Sequence, residues 1–345
     1  MNSVKDFGIK YEQTMNKGRF FTKILQRAVI CVVIITMITM PAGCTRAQKT
    51  EKTGFALDTF VQITIYDKID TKVAERAVTL CSEYEDIFSA VREDSELGQL
   101  NKNGSGQVSD ELLHVIRTGI EYGDLTGGAF DITILPVKEL WDFSAGRIPS
   151  EAELAEALPK VDYRNIVIEG SHVTLRNGAR IDLGAVAKGY IADRIRDYLI
   201  SEGVTSAIIN LGGNVLCIGG KPDERLFGGD TKKPFSVGIQ KPFTENEVVD
   251  TVEIRDGAVV TSGVYQRCFR TEDGRLYHHL LNTETGMPLD NGICSVSIIA
   301  DSSETADALS TAVFSLGIEK GKQLAEKKNA KVIFVTEDGE SESTQ

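Results

Sequence analysis

The residues best placed to do chemistry fall in short runs rich in glycine, aspartate and small hydroxyl side chains. In Thr305-Ala306-Asp307-Ala308-Leu309-Ser310-Thr311-Ala312, a carboxylate and a hydroxyl stand four residues apart, so a helix presents Asp307 and Thr311 on one face. Completed by carbonyls, phosphates and water, such a pair could hold a hard cation; by spacing alone it is also an ordinary polar helix face. In Ile181-Asp182-Leu183-Gly184-Ala185-Val186-Ala187-Lys188-Gly189-Tyr190, a carboxylate sits where a helix starts and a lysine follows within the next turns. Free N–H groups and the positive dipole end make a helix start an anion site, although Asp182 could equally be a plain N-cap. Gly128-Ala129-Phe130-Asp131-Ile132-Thr133 follows Gly127. The paired glycines suit close backbone approach to a ligand, or simply a turn from helix to strand. Histidine is scarce, and only His278 and His279 are adjacent, so at most one of that pair faces a site. There is no GxSxG, P-loop or Rossmann fingerprint.

The elements that must position these residues are legible in part. Phe60–Tyr66 alternates as a strand does, and Val73, Ala77, Leu80, Tyr84 and Ile87 step as an amphipathic helix. A second helix spans Leu112–Leu125, closed by Gly127-Gly128. Ser150 and Glu153 form a capping-box pattern for a helix to Ala157. Strands follow at Asn165–Glu169 and His172–Arg176, then a helix from Ala185 to Ser201 and a buried strand Ala207–Leu211 entering Gly212-Gly213. Residues 219–234 read as a surface loop. Further strands are expected at Phe235–Gln240, Val248–Ile254, Ile293–Ala300 and Lys331–Val335, with a last helix Glu304–Leu316 capped by Ser302 or Ser303. Strands and helices mix without regular βαβ alternation, which predicts an α+β fold of mixed or antiparallel sheets with packed helices.

The 345 residues carry a net charge of −12, which argues against a nucleic-acid partner. Lys17, Arg19, Lys23 and Arg27 lead into an uncharged run from Ala28 to Ala42, short for a membrane span and apt for a signal-peptide core. It ends in Met40-Pro41-Ala42-Gly43-Cys44, which resembles a bacterial lipobox with Cys44 as the lipidated residue and Pro41 where leucine is usual. The expectation is a signal peptide over 1–43, a tether over 44–53, a catalytic domain over 54–336 and a flexible tail over 337–345. The protein is then held by lipid on the extracytoplasmic face of the cell membrane; the alternative is an uncleaved N-terminal anchor. Cys81, Cys217, Cys268 and Cys294 are widely spaced without a CxxC pair, which speaks against zinc and reads as buried thiols.

Taken in order, these runs resemble the FAD:protein FMN transferase (ApbE) family from Phe55 to Val335. The matching stretches are Glu93-Asp94-Ser95-Glu96-Leu97 with Leu100-Asn101, Gly128–Thr133 with Leu140-Trp141, and Asp182-Leu183-Gly184-Ala185 with Lys188-Gly189-Tyr190. Asn210-Leu211-Gly212-Gly213-Asn214, Thr261-Ser262-Gly263, His278-His279 with Thr285-Gly286, and Ala306-Asp307-Ala308 with Thr311 complete the set. The resemblance implies cleavage of the FAD pyrophosphate and transfer of FMN to a Ser or Thr hydroxyl of an acceptor protein, such as an FMN-binding subunit of a membrane electron-transport complex. It implies Mg²⁺ held by Asp307, Thr311 and the carbonyl of Ala185. It implies FAD contacts at Leu57, Val91, Ala129, Phe130, Asp131, Asp182, Lys188, Gly212, Gly213, Ser262 and Leu280, with His279 as general base and Asp182 also in a catalytic role. Leu57-Asp58-Thr59 stands where Met-Gly-Thr is common, Asn282 replaces an acid, and Val91 lies where many members carry an aromatic over the flavin. Loss of that cover leaves FAD hydrolysis to FMN and AMP as the rival reading. A non-catalytic flavin-binding lipoprotein is a third.

Overall fold

The computed structural model describes residues 49–223 and 232–344. The expected signal peptide, Cys44 and residues 44–48 lie outside them, as do residues 224–231 of the expected loop. In chain order the elements are strands β1 (Thr50–Ala56) and β2 (Thr59–Ile65), helices α1 (Thr71–Phe88) and α2 (Glu96–Asn103), β3 (Ser105–Gln107), and helices α3 (Asp110–Thr126), α4 (Leu135–Lys138) and α5 (Glu151–Ala157). Then come β4 (Ile166–Glu169), β5 (His172–Leu175), α6 (Ala187–Ser201), β6 (Ser206–Leu211), β7 (Asn214–Gly219), β8 (Lys221–Pro222), β9 (Lys232–Lys233), β10 (Phe235–Gln240), β11 (Val248–Ile254) and β12 (Gly257–Gly263). The chain closes with β13 (Cys268–Arg270), β14 (Leu276–His278), β15 (Ile293–Ala300), α7 (Ser303–Leu316), α8 (Ile318–Lys327), β16 (Lys331–Thr336) and β17 (Ser341–Ser343).

Eight strands make the central sheet in the order β1-β2-β6-β7-β12-β15-β16-β17, and every neighbouring pair is antiparallel. The expected α+β class holds. Val61, Ile63 and Ile65 of β2 alternate into the core beneath α1, whose Val73, Ala74, Ala77 and Cys81 are buried. Helices α6 and α7 pack on one another, and α7 lies on β12 and β15. The β10–β11 hairpin covers part of the other face, where Phe235, Ile239 and Ile254 meet Cys217, Val259 and Ile333. Covered on both faces, β15 is buried without a break from Ile293 to Ile298, as a central strand should be. Among the described residues no helix is long and apolar enough to cross a membrane. Cys81, Cys217 and Cys294 are buried free thiols, as expected, and Cys268 is half-buried and free.

Several boundaries differ from the sequence reading. The chain enters the sheet at Thr50, so residues 50–53, expected as tether, form the first half of β1. They carry no apolar stripe because β1 is an edge strand held by its ladder to β2. Likewise Ser341–Ser343, expected in a flexible tail, pairs with β16 through backbone alone. Helix α8 was hidden because Gly317 reads as a terminator: it closes α7 at φ 78 and also starts α8. Helix α2 was missed because eight residues show little period, and strands β7 and β12 because Asn214–Gly219 and Gly257–Gly263 do not alternate apolar with polar and end in glycine. The capping box at Ser150 and Glu153 forms as expected, and Ser302 is the cap of α7.

Candidate functional site

The hairpin turns at one end of the sheet, the start of α6 and one face of α7 enclose a cavity of about 680 Å³. Its wall contains Leu57 from the β1–β2 turn, Val91 beyond α1, Ala129, Phe130 and Asp131 after α3, and Asp182, Ala185 and Lys188 at the approach to α6. Gly212, Gly213, Ser262, His279, Leu280, Asp307 and Thr311 close it. Every described residue that the sequence assigned to FAD or to a metal therefore lines one cavity, although they are scattered over more than two hundred positions.

Backbone conformation shapes two of these walls. Leu57 and Asp58 both take positive φ, 57° and 54°, in the two-residue turn that closes β1 onto β2, and Glu85 of α1 accepts the Leu57 N–H at 3.1 Å. Opposite them Gly212 takes φ 62°, and a Cβ there would collide with Thr59. That contact brings the β6–β7 turn against the β1–β2 turn.

The polar floor is built by α7. Ser303, Asp307 and Thr311 lie at successive four-residue steps, and each engages a different neighbour. The Ser303 hydroxyl meets Asn214 Oδ1 at 2.7 Å, Asp307 Oδ2 accepts the Gly189 N–H at 2.9 Å, and Thr311 Oγ1 lies 3.2 Å from Ser262 Oγ. Ser262 also meets Ser310 at 2.7 Å. Asp307 is 4% exposed, and its other oxygen lies 3.6 Å from Lys188 Nζ. Gly189 is what allows this: a Cβ there would run into the Ser303 carbonyl and to 2.7 Å from Asp307 Cβ. No cluster of three or more His, Cys, Asp or Glu able to hold a metal occurs among the described residues. The donors present are hard oxygens from one carboxylate, one hydroxyl and nearby carbonyls. Such a partial shell fits a cation like Mg²⁺ that keeps water and phosphate ligands, and it does not fit zinc.

Asp182 is not a helix cap; α6 starts at Ala187, and its cap position, Val186, makes no side-chain cap bond. Its carboxylate instead accepts Lys138 Nζ at 2.6 Å and the Gly184 N–H at 3.0 Å. Burial works against the charge, but Lys138, with Gly184 and Arg267, outweighs it and holds the carboxyl below the usual range. Lys188 Nζ donates to the Gly184 carbonyl at 2.8 Å. Lys138 and Arg267 also line the cavity and were missed in sequence, since each lies beside a recognisable run and neither has a spacing signal of its own.

The histidine pair separates cleanly. His278 is in the core, its Nε2 3.0 Å from the Leu289 carbonyl and its Nδ1 accepting the Leu280 N–H. His279 faces the cavity, and its Nδ1 has no hydrogen-bond partner among the described residues. Burial first, then the charge of Arg267, with His278, Lys138 and Lys188 adding to it, hold its pKa down to about 3. It is a neutral ring. Asp131 belongs to the wall, but its carboxylate is committed to the framework, accepting Thr133 N–H and Oγ1 on one oxygen and Tyr163 N–H on the other. Val91 is 82% exposed at the rim and offers no ring to a flavin.

Residues 57–334 match the model of the ApbE family. The chain is 33% identical over 278 residues to a FAD:protein FMN transferase of Klebsiella pneumoniae (strain 342), covering 77% of this chain and 83% of that protein. It is 32% identical over 312 residues to a FAD:protein FMN transferase of Treponema pallidum (strain Nichols), covering 85% and 86%. Among solved structures it is similar to the ApbE protein of Thermotoga maritima, with TM-score 0.77 and 35% identity over 86% of this chain and 97% of that one. The flavin transferase ApbE of Vibrio cholerae gives TM-score 0.74 and 27% identity, again over 86% and 97%.

Proposed function

The chain belongs to the ApbE family, and we propose that its cavity is where FMN passes from FAD to a hydroxyl of an acceptor protein, with AMP as the other product. The observation that carries this is the convergence on one cavity of every described residue assigned to FAD or metal. Phosphoryl transfer asks for in-line positioning and neutralised charge more than for covalent chemistry. Lys138, Lys188 and Arg267 bring positive charge to the wall of a protein whose net charge is −12. His279, neutral and with a free Nδ1, takes the proton of the acceptor hydroxyl. Asp182, locked by Lys138 and Gly184, orients the segment that carries Ala185 and Lys188. Asp307, Thr311 and the Ala185 carbonyl would hold Mg²⁺, which supplies charge neutralisation at the phosphates when bound.

The test is direct. The protein is mixed with FAD, MgCl₂ and a candidate acceptor, and the acceptor is expected to gain the mass of one FMN with an equal yield of AMP. A second reading, FAD hydrolysis, is favoured by one observation, the exposed Val91 at the rim. AMP accumulating while the acceptor stays unmodified decides for it. The acceptor class we propose is an FMN-binding subunit of a membrane electron-transport complex, and the lipobox-like leader ending at Cys44 supports a location on the extracytoplasmic face of the same membrane.

A further inference from the structure

Cationic side chains in a cavity usually have their anions at hand, and two of the three here do. Lys138 is paired with Asp182 at 2.6 Å, and Lys188 lies between the Gly184 carbonyl at 2.8 Å and Asp307 at 3.6 Å. Arg267 is the third. It lines the same cavity, is exposed, and among the described residues has no carboxylate within ion-pair distance and no aromatic ring beneath its guanidinium. It contributes little to the core. A guanidinium held at a cavity wall without a protein partner is set for an anion that arrives with the substrate.

The fold puts it beside the base. Strands β13 and β14 pair Cys268 with His278, and the ladder continues one step, with the His279 N–H donating to the Arg267 carbonyl at 3.1 Å. Residues directly opposite in an antiparallel pair carry their side chains on one face, Cβ atoms about 4.5–5.5 Å apart. Arg267 and His279 therefore project together, and both line the cavity. After burial, the Arg267 charge is the largest influence on the His279 ring.

We propose that Arg267 is a catalytic residue whose guanidinium holds the non-bridging oxygens of the phosphate being transferred while His279, opposite it, deprotonates the acceptor hydroxyl. The inference rests on the transferase reading above. In the step, the hydroxyl oxygen bonds to the FMN phosphorus and its proton passes to His279. The bond from that phosphorus to the bridging oxygen breaks, and AMP leaves with the oxygen and its electron pair. Negative charge spreads over the equatorial oxygens in such a transition state, and a planar fork of donors meets two of them at once.

Arg267→Gln and Arg267→Lys, assayed with FAD, MgCl₂ and acceptor, test this. Arg267→Gln should lower kcat by about 10²–10³-fold, the loss typical of a removed transition-state donor, with the KM for acceptor unchanged. Arg267→Lys should recover only part of it, because an ammonium cannot make the forked contact. Both variants should melt with the parent, as the side chain is exposed. The proposal fails if kcat is that of the parent, if only FAD binding weakens, or if only the acceptor KM rises while AMP release without acceptor is unaffected. AMP release into water breaks the same bond, so it is measured alongside. An acceptor never labelled by the parent protein sinks the transferase reading, and Arg267 is then judged on AMP release alone.

Discussion

At His278 and His279 the backbone sends two neighbouring rings into different surroundings, one into the core and one into the cavity. The consequence for His279 is measurable. Folded, it titrates at about 3, against 6.5 for a free ring, so between those values the unfolded chain binds more protons than the native one. Stability then rises with pH across that window and is lost as pH falls through it. His279→Gln should flatten the melting temperature of the ligand-free protein between pH 6.5 and about 3; a slope equal to the parent's would mean that the ring is freely solvated. Burial sets most of this depression and the charges of Arg267, His278, Lys138 and Lys188 add to it, so removing one of those charges should move the acid end of the window upward. At Asp307 the carboxylate serves both the Gly189 N–H and the cavity. Asp307→Asn keeps an acceptor for that N–H and should fold, yet lose AMP release even at saturating MgCl₂; retained activity would remove the site from the mechanism. Val91→Tyr adds the ring that the rim lacks. Base–aromatic stacking is worth about 1–3 kcal/mol, so FAD should bind roughly tenfold tighter, at the low end of that range. The share of FMN ending on protein should also rise; flavin fluorescence and product chromatography read the two effects, and parent-like values in both would place residue 91 away from the flavin.

Among the elements, the crossing of α6 over α7 decides the site. Gly189 lets the two helices approach until the α6 backbone donates to Asp307, and a methyl group in that space meets the Ser303 carbonyl and Asp307 Cβ. Backbone cannot rotate away as a side chain can. Gly189→Ala should therefore destabilise by about 1–3 kcal/mol in denaturant melts, the usual cost of overpacking, and disturb Mg²⁺ dependence beyond that loss. A variant with the parent's stability and metal response would show that the helices slide apart at no cost. The same helix pair explains why Ser303, expected only as an alternative cap to Ser302, matters: its hydroxyl meets the Asn214 amide in the opposite wall.

For the whole molecule, one antiparallel sheet with helices on one face gathers turns from all along the chain at one end, and the cavity is the space they enclose. The cavity wall carries both signs: Lys138 is paired with Asp182 and Lys188 lies near Asp307, while Arg267 has no carboxylate within ion-pair distance among the described residues. Attachment is a separate matter, proposed to be carried by the leader. Cys44→Ala should shift the protein from the membrane fraction to the soluble fraction or leave it as precursor, since one lipidated cysteine is the proposed stable anchor. A variant that still pellets at unchanged size would assign the anchoring to the apolar run instead.

How much of this was legible in the sequence depends on what each feature requires. The amphipathic α1, the strands β2, β10, β11 and β15 and the capping box at Ser150 and Glu153 were readable because periodicity and capping are local. Asp307 and Thr311 on one face of α7 were readable for the same reason, and the ordered runs of glycine, aspartate and hydroxyl residues carried the family. Edge strands β1 and β17 were not readable, since their hydrogen bonds come from a partner strand and leave no apolar pattern behind. The choice of His279 over His278 came from the family resemblance and not from spacing. Not readable at all were the commitment of Asp131 to Tyr163 and the pairing of Lys138 with Asp182 across the cavity. Those are distances between residues far apart in the chain, and only the packing of the sheet against α6 and α7 determines them.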